Sequence, residues 1–381
     1  MALSLRDVYA ARRVVYRTLR PTPLLQHPLL NQATGLDLFV KHENHNPTNA
    51  FKVRGGLNLI AGLSGEERRG VLTASTGNHG QSIAMACQRE SVPCTVVVPE
   101  GNNPDKNAAM RAYGATVLEI GKDFDEAREY VERVVSERGL RYVHSANEPM
   151  LIAGVATYAL ELFEELPDAD VVLVPIGGGS GACGCSLVRT WTGSRARVIG
   201  VQAAGADAFT RSWRTGQRVS TETADTFAEG IATRTTFDLT YEILREHLDD
   251  IITLEEEELM DGIRLALSTT HNLVEGAGAA SIAAAVQLRD ELRGKKVACV
   301  MSGANISEDT LKRVLGVGAR DSGLGPERLR RSESEPRAPS PESRVLTVVP
   351  ASRRSSPRRG APAAVPAATR SSTPCPDSPG R

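Results

Sequence analysis

One lysine of this sequence stands between two apolar residues, and two glycine-containing turns follow it further along the chain. Lys52 lies between Phe51 and Val53, where its ammonium is expected to lose part of its hydration. Desolvation penalises the charged form, so it lowers the pKa of a lysine and favours the neutral amine. A neutral amine attacks aldehydes. Lys52 is therefore a candidate for covalent chemistry, with a solvated lysine at a helix start as the alternative.

The second candidate is the turn over residues 177–181, which reads Gly-Gly-Gly-Ser-Gly. An apolar run over residues 171–174 precedes it, and a helical segment follows. Glycines let backbone N–H groups approach an anion closely, and the positive end of the helix dipole favours negative charge there. We therefore expect a phosphate to bind to Gly177, Gly178, Gly179, Ser180 and Gly181.

Two other phosphate ligands match this turn less well. A P-loop requires Gly-Lys-Ser or Gly-Lys-Thr at the end of the turn, and no lysine follows these glycines. Gly179, Gly181 and Gly184 do form the dinucleotide pattern G-x-G-x-x-G, but the next strand ends at Gln202, where an acidic residue would bind the ribose. The turn thus predicts a phosphate site without identifying whose phosphate it binds.

The third candidate is the segment 75–79, which reads Ser-Thr-Gly-Asn-His and leads into an apolar helix. A helix N-terminus edged with hydroxyls and an amide is suited to a substrate carboxylate. An ordinary N-cap at Ser75 or Thr76 is the alternative. As a carboxylate site, the segment would contribute Ser75, Thr76, Gly77, Asn78 and His79.

Together, these motifs resemble the fold-type II pyridoxal-phosphate enzymes, in particular the threonine and serine dehydratases (ammonia-lyases) and the related serine racemase. In order, they are Lys41-His42-Glu43-Asn44 with Phe51-Lys52-Val53-Arg54-Gly55, then 75–79, 177–181 and Ser302-Gly303-Ala304-Asn305. The resemblance covers residues 5–316. It implies a two-lobed α/β fold similar to the tryptophan synthase β subunit, with parallel sheets flanked by helices, and pyridoxal 5'-phosphate as the cofactor.

The resemblance also implies roles for individual residues. Lys52 forms the Schiff base with the cofactor and later acts as the general base, and the neighbouring Phe51 belongs to the cofactor site. Asn78 contacts the 3-oxygen of the ring, and Ser302 meets the pyridine nitrogen. Glu275 stands where the family places a glutamate near the ring.

The implied activity is β-elimination, which converts L-threonine or L-serine to a 2-oxo acid and ammonia. Other 3-hydroxy amino acids, as in hydroxyectoine utilisation, remain open, because Val155 and Ala156 replace a glutamine-containing stretch and are expected to change the side-chain pocket. Racemisation also remains open, because Thr76 stands where racemases carry a catalytic serine. A protein that binds pyridoxal phosphate or an amino acid without catalysis is the alternative from another class.

Metal activation is not expected. Members of the family that use a divalent cation bind it with a glutamate and an aspartate, and the matching positions here are Gln202 and Ala208. A hard cation prefers charged oxygen ligands. We therefore predict no metal at this site, with the adjacent Asp207 as a substitute ligand in the alternative case.

Length and composition agree with a two-lobed enzyme. We place a large cofactor-binding domain at residues 1–69 and 148–318 and a small domain at 70–147. Residues 319–381 contain 11 of the 21 prolines and twelve arginines against six acids, and such a segment is expected to be disordered. Its positive charge is balanced by the acidic body, because the whole chain has a net charge of −1.

Cysteine usage and hydropathy predict the location and the partners. The six cysteines form no C-x-x-C pair and no zinc-binding spacing, which favours reduced thiols in a cytoplasmic enzyme. No apolar run is long enough to span a membrane. We expect a small-molecule amino-acid substrate, no nucleic acid and no membrane partner, and a homo-oligomer that is a dimer or a tetramer.

Overall fold

Strands and helices alternate along most of the described chain. The computed structural model describes residues 3–317. In this range, the strands are β1 Leu24–Gln26, β2 Asp37–His42, β3 Val71–Ala74, β4 Cys94–Val98, β5 Thr116–Glu119, β6 Arg141–Tyr142, β7 Val171–Pro175, β8 Arg197–Ala203, β9 Asp250–Leu254 and β10 Lys296–Met301.

The helices connect these strands and cover both sheets. They are α1 Leu5–Val15, α2 Pro28–Thr34, α3 Lys52–Ala61, α4 Asn78–Glu90, α5 Pro104–Ala112, α6 Phe124–Arg138, α7 Pro149–Glu165, α8 Ser180–Thr192, α9 Ala208–Thr215, α10 Asp238–His247, α11 Glu256–Thr270, α12 Gly276–Gln287, α13 Arg289–Leu292 and α14 Glu308–Leu315.

The larger sheet has six strands in the order β1-β2-β10-β7-β8-β9. Only the edge pair β1 and β2 is antiparallel, and the other neighbours run parallel. Its central strand β7 is buried along its whole length, as expected for a parallel strand covered on both faces. The predicted α/β class with parallel sheets flanked by helices is confirmed.

The smaller sheet has four parallel strands in the order β5-β4-β3-β6. All of its strands come from residues 71–142. Both sheets belong to one compact unit. The division into a large domain and a small domain at residues 69 and 147 therefore stays a prediction.

The strands position the sequence motifs because the carboxyl ends of parallel strands meet at one edge of a sheet. Ser75 follows the end of β3, Gly177 follows β7 closely, and Ser302 follows β10. Lys52 opens α3, and its neighbour Phe51 donates a backbone hydrogen bond to the carbonyl of Ser302 (3.1 Å). Residues far apart in sequence are thus brought to the same edge.

Helix α3 is held in place by unusually close packing against α7. A Cβ atom on Gly55 would lie 2.8 Å from the carbonyl oxygen of Leu151, and one on Gly154 would lie 2.5 Å from the carbonyl oxygen of Arg54. Each contact is shorter than side chains tolerate, so the approach requires glycine on both helices. The backbone that carries Lys52 is fixed by this contact.

The predicted disordered tail, residues 319–381, lies outside the described residues. Within residues 3–317, no helix is both long enough and apolar enough to cross a membrane.

Candidate active site

A cavity of about 440 Å³ lies where the carboxyl ends of the two sheets face each other. Most of the predicted site residues line it: Phe51, Lys52, Ser75, Thr76, Gly77, Asn78, His79, Gly178, Glu275 and Ser302. Four further predicted residues, Gly177, Gly179, Ser180 and Gly181, belong to the turn that carries Gly178. The structure therefore brings all the predicted motifs to one place.

The ammonium of Lys52 lies at the phosphate-binding turn. Its Nζ donates to Ser180 Oγ (3.0 Å) and to the carbonyl oxygen of Ser145 (3.3 Å), and it lies 5.3 Å from the centre of the Phe51 ring. No carboxylate appears among these contacts. Desolvation by burial lowers the pKa of Lys52 to about 8. The expected shift towards a nucleophilic amine is thus supported by the surroundings of the side chain.

The turn over residues 177–181 has the geometry of an anion-binding helix start. Gly179 is the N-cap of α8 and has a φ of 92°, a left-handed conformation that favours glycine. A Cβ atom on Gly177 would lie 2.4 Å from the carbonyl oxygen of Gly230. The first N–H groups of a helix have no acceptor within it, so they point outwards from the turn towards a ligand.

The segment 75–79 begins α4, but its side chains have different tasks. Ser75 Oγ accepts hydrogen bonds from the N–H groups of Gly77 (3.1 Å) and Gly80 (2.8 Å), so its hydroxyl stabilises the turn itself. The Thr73 hydroxyl donates to the Val143 carbonyl, so His79 Nε2 must donate to Thr73 Oγ1 (3.0 Å).

The charge state of His79 follows from its burial. Desolvation lowers its pKa to about 3, so the ring is neutral over the physiological range. The Nδ1 atom has no hydrogen-bond partner among the described residues. At neutral pH, the His79 ring therefore carries no positive charge and does not act as a general acid, although its Nε2–H still donates a hydrogen bond to Thr73.

Asn78 is held between two side chains from the larger sheet. Its Nδ2 donates to Glu275 Oε1 (2.6 Å), and its Oδ1 accepts from Asn305 Nδ2 (2.7 Å). Burial raises the pKa of Glu275. Ser302 Oγ donates to the carbonyl oxygen of Ala277 (3.2 Å). Glu275 thus acts on the site through Asn78, a contact that the sequence did not indicate.

One wall of the cavity consists of residues that no sequence motif indicated. It is formed by the connection between α9 and α10, with additional residues at the starts of α5 and α6: Lys106, Asp123, Phe124, Glu222, Thr223, Ala224, Glu229, Gly230, Ala232, Thr233, Arg234, Thr235 and Phe237. One signal was available. Long connections with little regular structure inside a compact domain are often functional, and residues 216–237 contain only a short 3₁₀ turn.

The expected effect of Val155 and Ala156 on the substrate pocket is wrong. Both residues are buried on α7 and neither lines the cavity. Val155 lies against Gly55 of α3, and Ala156 lies against Gly184 of α8. The small side chains allow three helices to pack closely, so the departure from the family pattern concerns helix packing.

Similarity to known proteins agrees with this arrangement. Residues 15–303 match the family model described as pyridoxal-phosphate dependent enzyme. The chain belongs to this family. Pyridoxal phosphate is its cofactor, and the residues present fit it, because Lys52 lies within hydrogen-bond distance of the glycine turn. The predicted cofactor is confirmed.

Several relatives share most of the chain. An L-threonine ammonia-lyase of Thermotoga maritima is 38% identical over 84% of this chain and 80% of its own length. An L-threo-3-hydroxyaspartate ammonia-lyase of Saccharomyces cerevisiae is 32% identical over 79% of this chain and 92% of its own length. The structure of serine racemase from Dictyostelium discoideum has a TM-score of 0.73 and 31% identity, and covers 80% of this chain and 99% of its own. The predicted resemblance to ammonia-lyases and serine racemase is confirmed.

At the predicted metal-free position, Gln202 is occupied with local hydrogen bonds. Its Oε1 accepts from the N–H of Thr210 (2.8 Å) and from the Thr210 hydroxyl (2.9 Å). Asp207 forms an ion pair with Arg211 (2.7 Å). Over residues 3–317, no group of three or more His, Cys, Asp or Glu side chains has the geometry of a metal site. Independence from metal stays a prediction.

Proposed function

We propose that this enzyme is an ammonia-lyase that converts L-threonine or L-serine to a 2-oxo acid and ammonia. The β-elimination releases one water, and hydrolysis of the resulting enamine takes one water up again. The observation that carries the proposal is the position of the Lys52 amine, which lies at the phosphate turn inside a cavity that segment 75–79 also lines. The identity to an L-threonine ammonia-lyase over most of the chain supports the same activity.

Two helix starts bind the two anionic groups in this proposal. The turn 177–181 holds the cofactor phosphate at the N-terminus of α8, and the segment 75–79 holds the substrate carboxylate at the N-terminus of α4. When bound, pyridoxal phosphate supplies an aldehyde that links to amines and a ring that withdraws electrons from the α-carbon. The two anion sites orient the α-carbon of the substrate between them.

Lys52 has two tasks in sequence. Its neutral amine first holds the cofactor covalently, and after the substrate has displaced it, the same amine takes the proton from the α-carbon. Both tasks need an uncharged amine, which the lowered pKa of about 8 makes accessible near neutral pH. Ser180 Oγ, 3.0 Å from Nζ, positions the amine.

The remaining predicted residues support the cofactor ring. We assign Asn78 to the 3-oxygen of the ring, with Glu275 holding its amide (2.6 Å), and Ser302 to the ring nitrogen. A neutral hydroxyl at the ring nitrogen would not supply the negative charge that stabilises a protonated ring, so the ring would withdraw electrons less strongly. Phe51 borders the cavity beside Lys52.

Racemisation is a second candidate activity. Thr76 lines the cavity and its hydroxyl is a candidate proton donor opposite Lys52. Likeness to a serine racemase structure at 31% identity supports including this reaction. The rates of D-serine formation and pyruvate formation from L-serine, measured together, give the fraction of turnover that is racemisation.

The location and assembly of the protein also remain predictions. A cytoplasmic location is supported by Cys87, Cys94, Cys183, Cys185 and Cys299, all of which are unpaired. The sixth cysteine, Cys375, lies outside the described residues. A dimer or tetramer is expected from the family resemblance, and sedimentation of the purified enzyme would measure it.

A paired assay tests the proposed function. Borohydride reduction of the purified enzyme followed by peptide mass spectrometry is expected to find the cofactor on Lys52, and L-threonine and L-serine are expected to release 2-oxobutyrate and pyruvate. Lys52→Ala should lose both signals, with turnover reduced by about 10²-fold or more. Lys122→Ala is the matched control, because Lys122 is exposed and paired only with its helix neighbour Glu126. Covalent cofactor in Lys52→Ala, or turnover within about 10-fold of the wild type, contradicts the assignment.

A further inference from the structure

Two ion pairs cross the cavity between the part of the chain that carries the smaller sheet and the connection that forms the opposite wall. Lys106 Nζ, on α5, lies 2.5 Å from Glu229 Oε2. Asp123, the N-cap of α6, lies 3.7 Å from Arg234. All four residues line the cavity. The two pairs have opposite polarity, so each side contributes one cation and one anion.

The pair between Lys106 and Glu229 lies next to segment 75–79 and to Glu275. The Lys106 side chain is only 9% exposed. It packs on the carboxylate-binding segment, because a Cβ atom on Gly77 would lie 2.9 Å from Lys106 Cδ. Burial raises the pKa of Glu275, and the charges of Lys106 and Glu229 act on it in opposite directions. The pair therefore lies beside the position of the substrate.

The same wall carries an additional negative charge. Glu222 lines the cavity, and its carboxylate forms no hydrogen bond or ion pair with the described residues. Besides Lys52, which holds the cofactor, the cations of the lining are Lys106 and Arg234, and both face acidic partners. Both cations that could bind a second carboxylate of the substrate are therefore already paired with acidic residues.

We propose that this cavity selects 3-hydroxy amino acids with uncharged side chains, and that Glu229 is the residue that rejects a second carboxylate by neutralising Lys106. This inference rests on the proposed β-elimination and specifies its substrate class. It separates the chain from its relative named as an L-threo-3-hydroxyaspartate ammonia-lyase.

The discrimination has a clear physical origin. Placing like charges side by side in a partly buried site is unfavourable, so specificity against a charged substrate is obtained by repulsion. A neutral methyl or hydrogen at the β-carbon meets no such penalty. A cationic side chain would compete with Lys106 and Arg234 for their partners, which disfavours that class as well.

Kinetics of the holoenzyme test the inference. We expect kcat/KM for L-threonine to exceed that for L-threo-3-hydroxyaspartate by about 100-fold or more. Glu229→Gln keeps the shape of the side chain but releases Lys106, so it should reduce this ratio by about 10-fold or more. Adding Lys106→Met to that variant should restore the preference. Glu222→Gln is the matched comparison, since it removes a carboxylate of the same wall without releasing a lysine, and it should reduce the ratio less than Glu229→Gln does.

Binding supplies a second measurement that needs no turnover. L-Aspartate and L-asparagine have the same shape, differ in charge and lack the β-hydroxyl, so calorimetry on the holoenzyme isolates the effect of the carboxylate. We expect L-asparagine to bind more tightly to the wild type, and Glu229→Gln to narrow the difference. If neither compound binds, the kinetic ratio decides.

The inference is overturned if the wild type converts the two substrates with kcat/KM values within about 10-fold of each other. It is also overturned if Glu229→Gln retains its cofactor absorbance and melting temperature but leaves the ratio of the two kcat/KM values unchanged. The same conclusion follows if Glu222→Gln reduces this ratio as much as Glu229→Gln does. Where Glu229→Gln fails to fold, Glu229→Ala also removes the carboxylate and makes the same prediction. Absence of any 2-oxo acid from L-threonine and L-serine instead contradicts the proposed function, and the binding comparison then still tests the charge preference.

Discussion

At the level of single residues, the site depends on Lys52, whose burial disfavours the charged form of its amine. Lys52 Nζ contacts a hydroxyl and a carbonyl oxygen, and no carboxylate of the described residues forms a hydrogen bond or an ion pair with it. Another buried lysine has different surroundings: Lys41 is fully buried, and its ammonium forms an ion pair with the carboxylate of Glu161 (2.7 Å). The contrast between the two lysines is the strongest local indication that Lys52 performs covalent chemistry.

The pH dependence of cofactor capture should report this difference. Because the pKa of Lys52 is lowered to about 8, half of the apoenzyme carries the neutral amine near that pH, compared with 10.5 for an ordinary lysine. The rate at which the apoenzyme takes up pyridoxal phosphate should rise as the pH increases through about 8 and then level off. Stopped-flow absorbance measures this rate, with N-acetyl-lysine amide as the reference amine. A rate that rises in parallel with that reference up to its own pKa would contradict the lowered pKa.

At the scale of elements, helix termini and one buried charge network hold the site. Helix α3 carries both Lys52 and Arg54, which point to different surroundings. Arg54 is fully buried and binds the carboxylates of Glu43 (2.7 Å) and Glu161 (2.6 Å). The network anchors α3 to β2 and α7, while the start of the same helix presents Lys52 to the cavity.

Removing the arginine of this network should be strongly destabilising. Arg54→Met leaves two buried carboxylates with Lys41 as their remaining cation, and breaking a buried network in this way costs about 3–5 kcal/mol. Chemical denaturation measures the loss. Arg12→Met is the matched control, because Arg12 and Glu164 are 31% and 44% exposed and such pairs contribute about 0–1 kcal/mol. Similar losses in both variants would show that burial of the network has little energetic effect.

Helix α8 provides a second test, because left-handed glycines flank both of its ends. Gly179 at the phosphate turn has a φ of 92° and Gly193 at the opposite end has a φ of 70°. A Cβ atom on Gly179 would lie 2.9 Å from Thr240 Cβ, whereas one on Gly193 meets nothing within 4 Å. Both alanine variants should lose about 1–2 kcal/mol of stability from backbone strain.

Only Gly179→Ala should also weaken cofactor binding, because its turn contacts the phosphate in the proposed site. We expect the dissociation constant for pyridoxal phosphate to rise at least about 10-fold in Gly179→Ala, in line with the loss of about one well-placed hydrogen bond to a charged group, and to stay unchanged in Gly193→Ala. Fluorescence titration of the apoenzymes measures both constants. An equal effect at the two ends of α8 would argue against a phosphate at residues 177–181.

At the scale of the whole molecule, the cavity is assembled from both sheets and from a connection that belongs to neither. The carboxyl ends of β3, β7 and β10 carry the predicted motifs, and residues 222–237 close the opposite side. In the described part of the chain, no group of three or more His, Cys, Asp or Glu side chains has the geometry of a metal site. The amide of Gln202 occupies a position where a charged oxygen ligand would be needed.

Activity should accordingly be independent of divalent cations. Treatment with EDTA followed by addition of Mg²⁺ or Ca²⁺ should change the rate of 2-oxobutyrate release by less than about 2-fold, because a neutral amide oxygen binds a hard cation more weakly than a carboxylate does. Gln202→Glu, which restores a charged ligand, is the matched variant and should bind Ca²⁺ more tightly than the wild type in calorimetry. Severalfold activation of the wild type by either ion would contradict this prediction.

The sequence by itself determined the chemistry of the motifs and the class of the fold. Lys52 between apolar neighbours, the glycine turn 177–181 and the alternation of strands and helices are local patterns, and local sterics and hydration fix what they form. Only the tertiary structure decided what stands opposite them. Lys106 and Glu229 are 123 positions apart and meet because the start of α5 and the connection between α9 and α10 converge. Val155 and Ala156 are packing residues for the same reason. The neighbouring elements decide which side of a helix faces a cavity, and the periodicity of the helix sequence does not identify those neighbours.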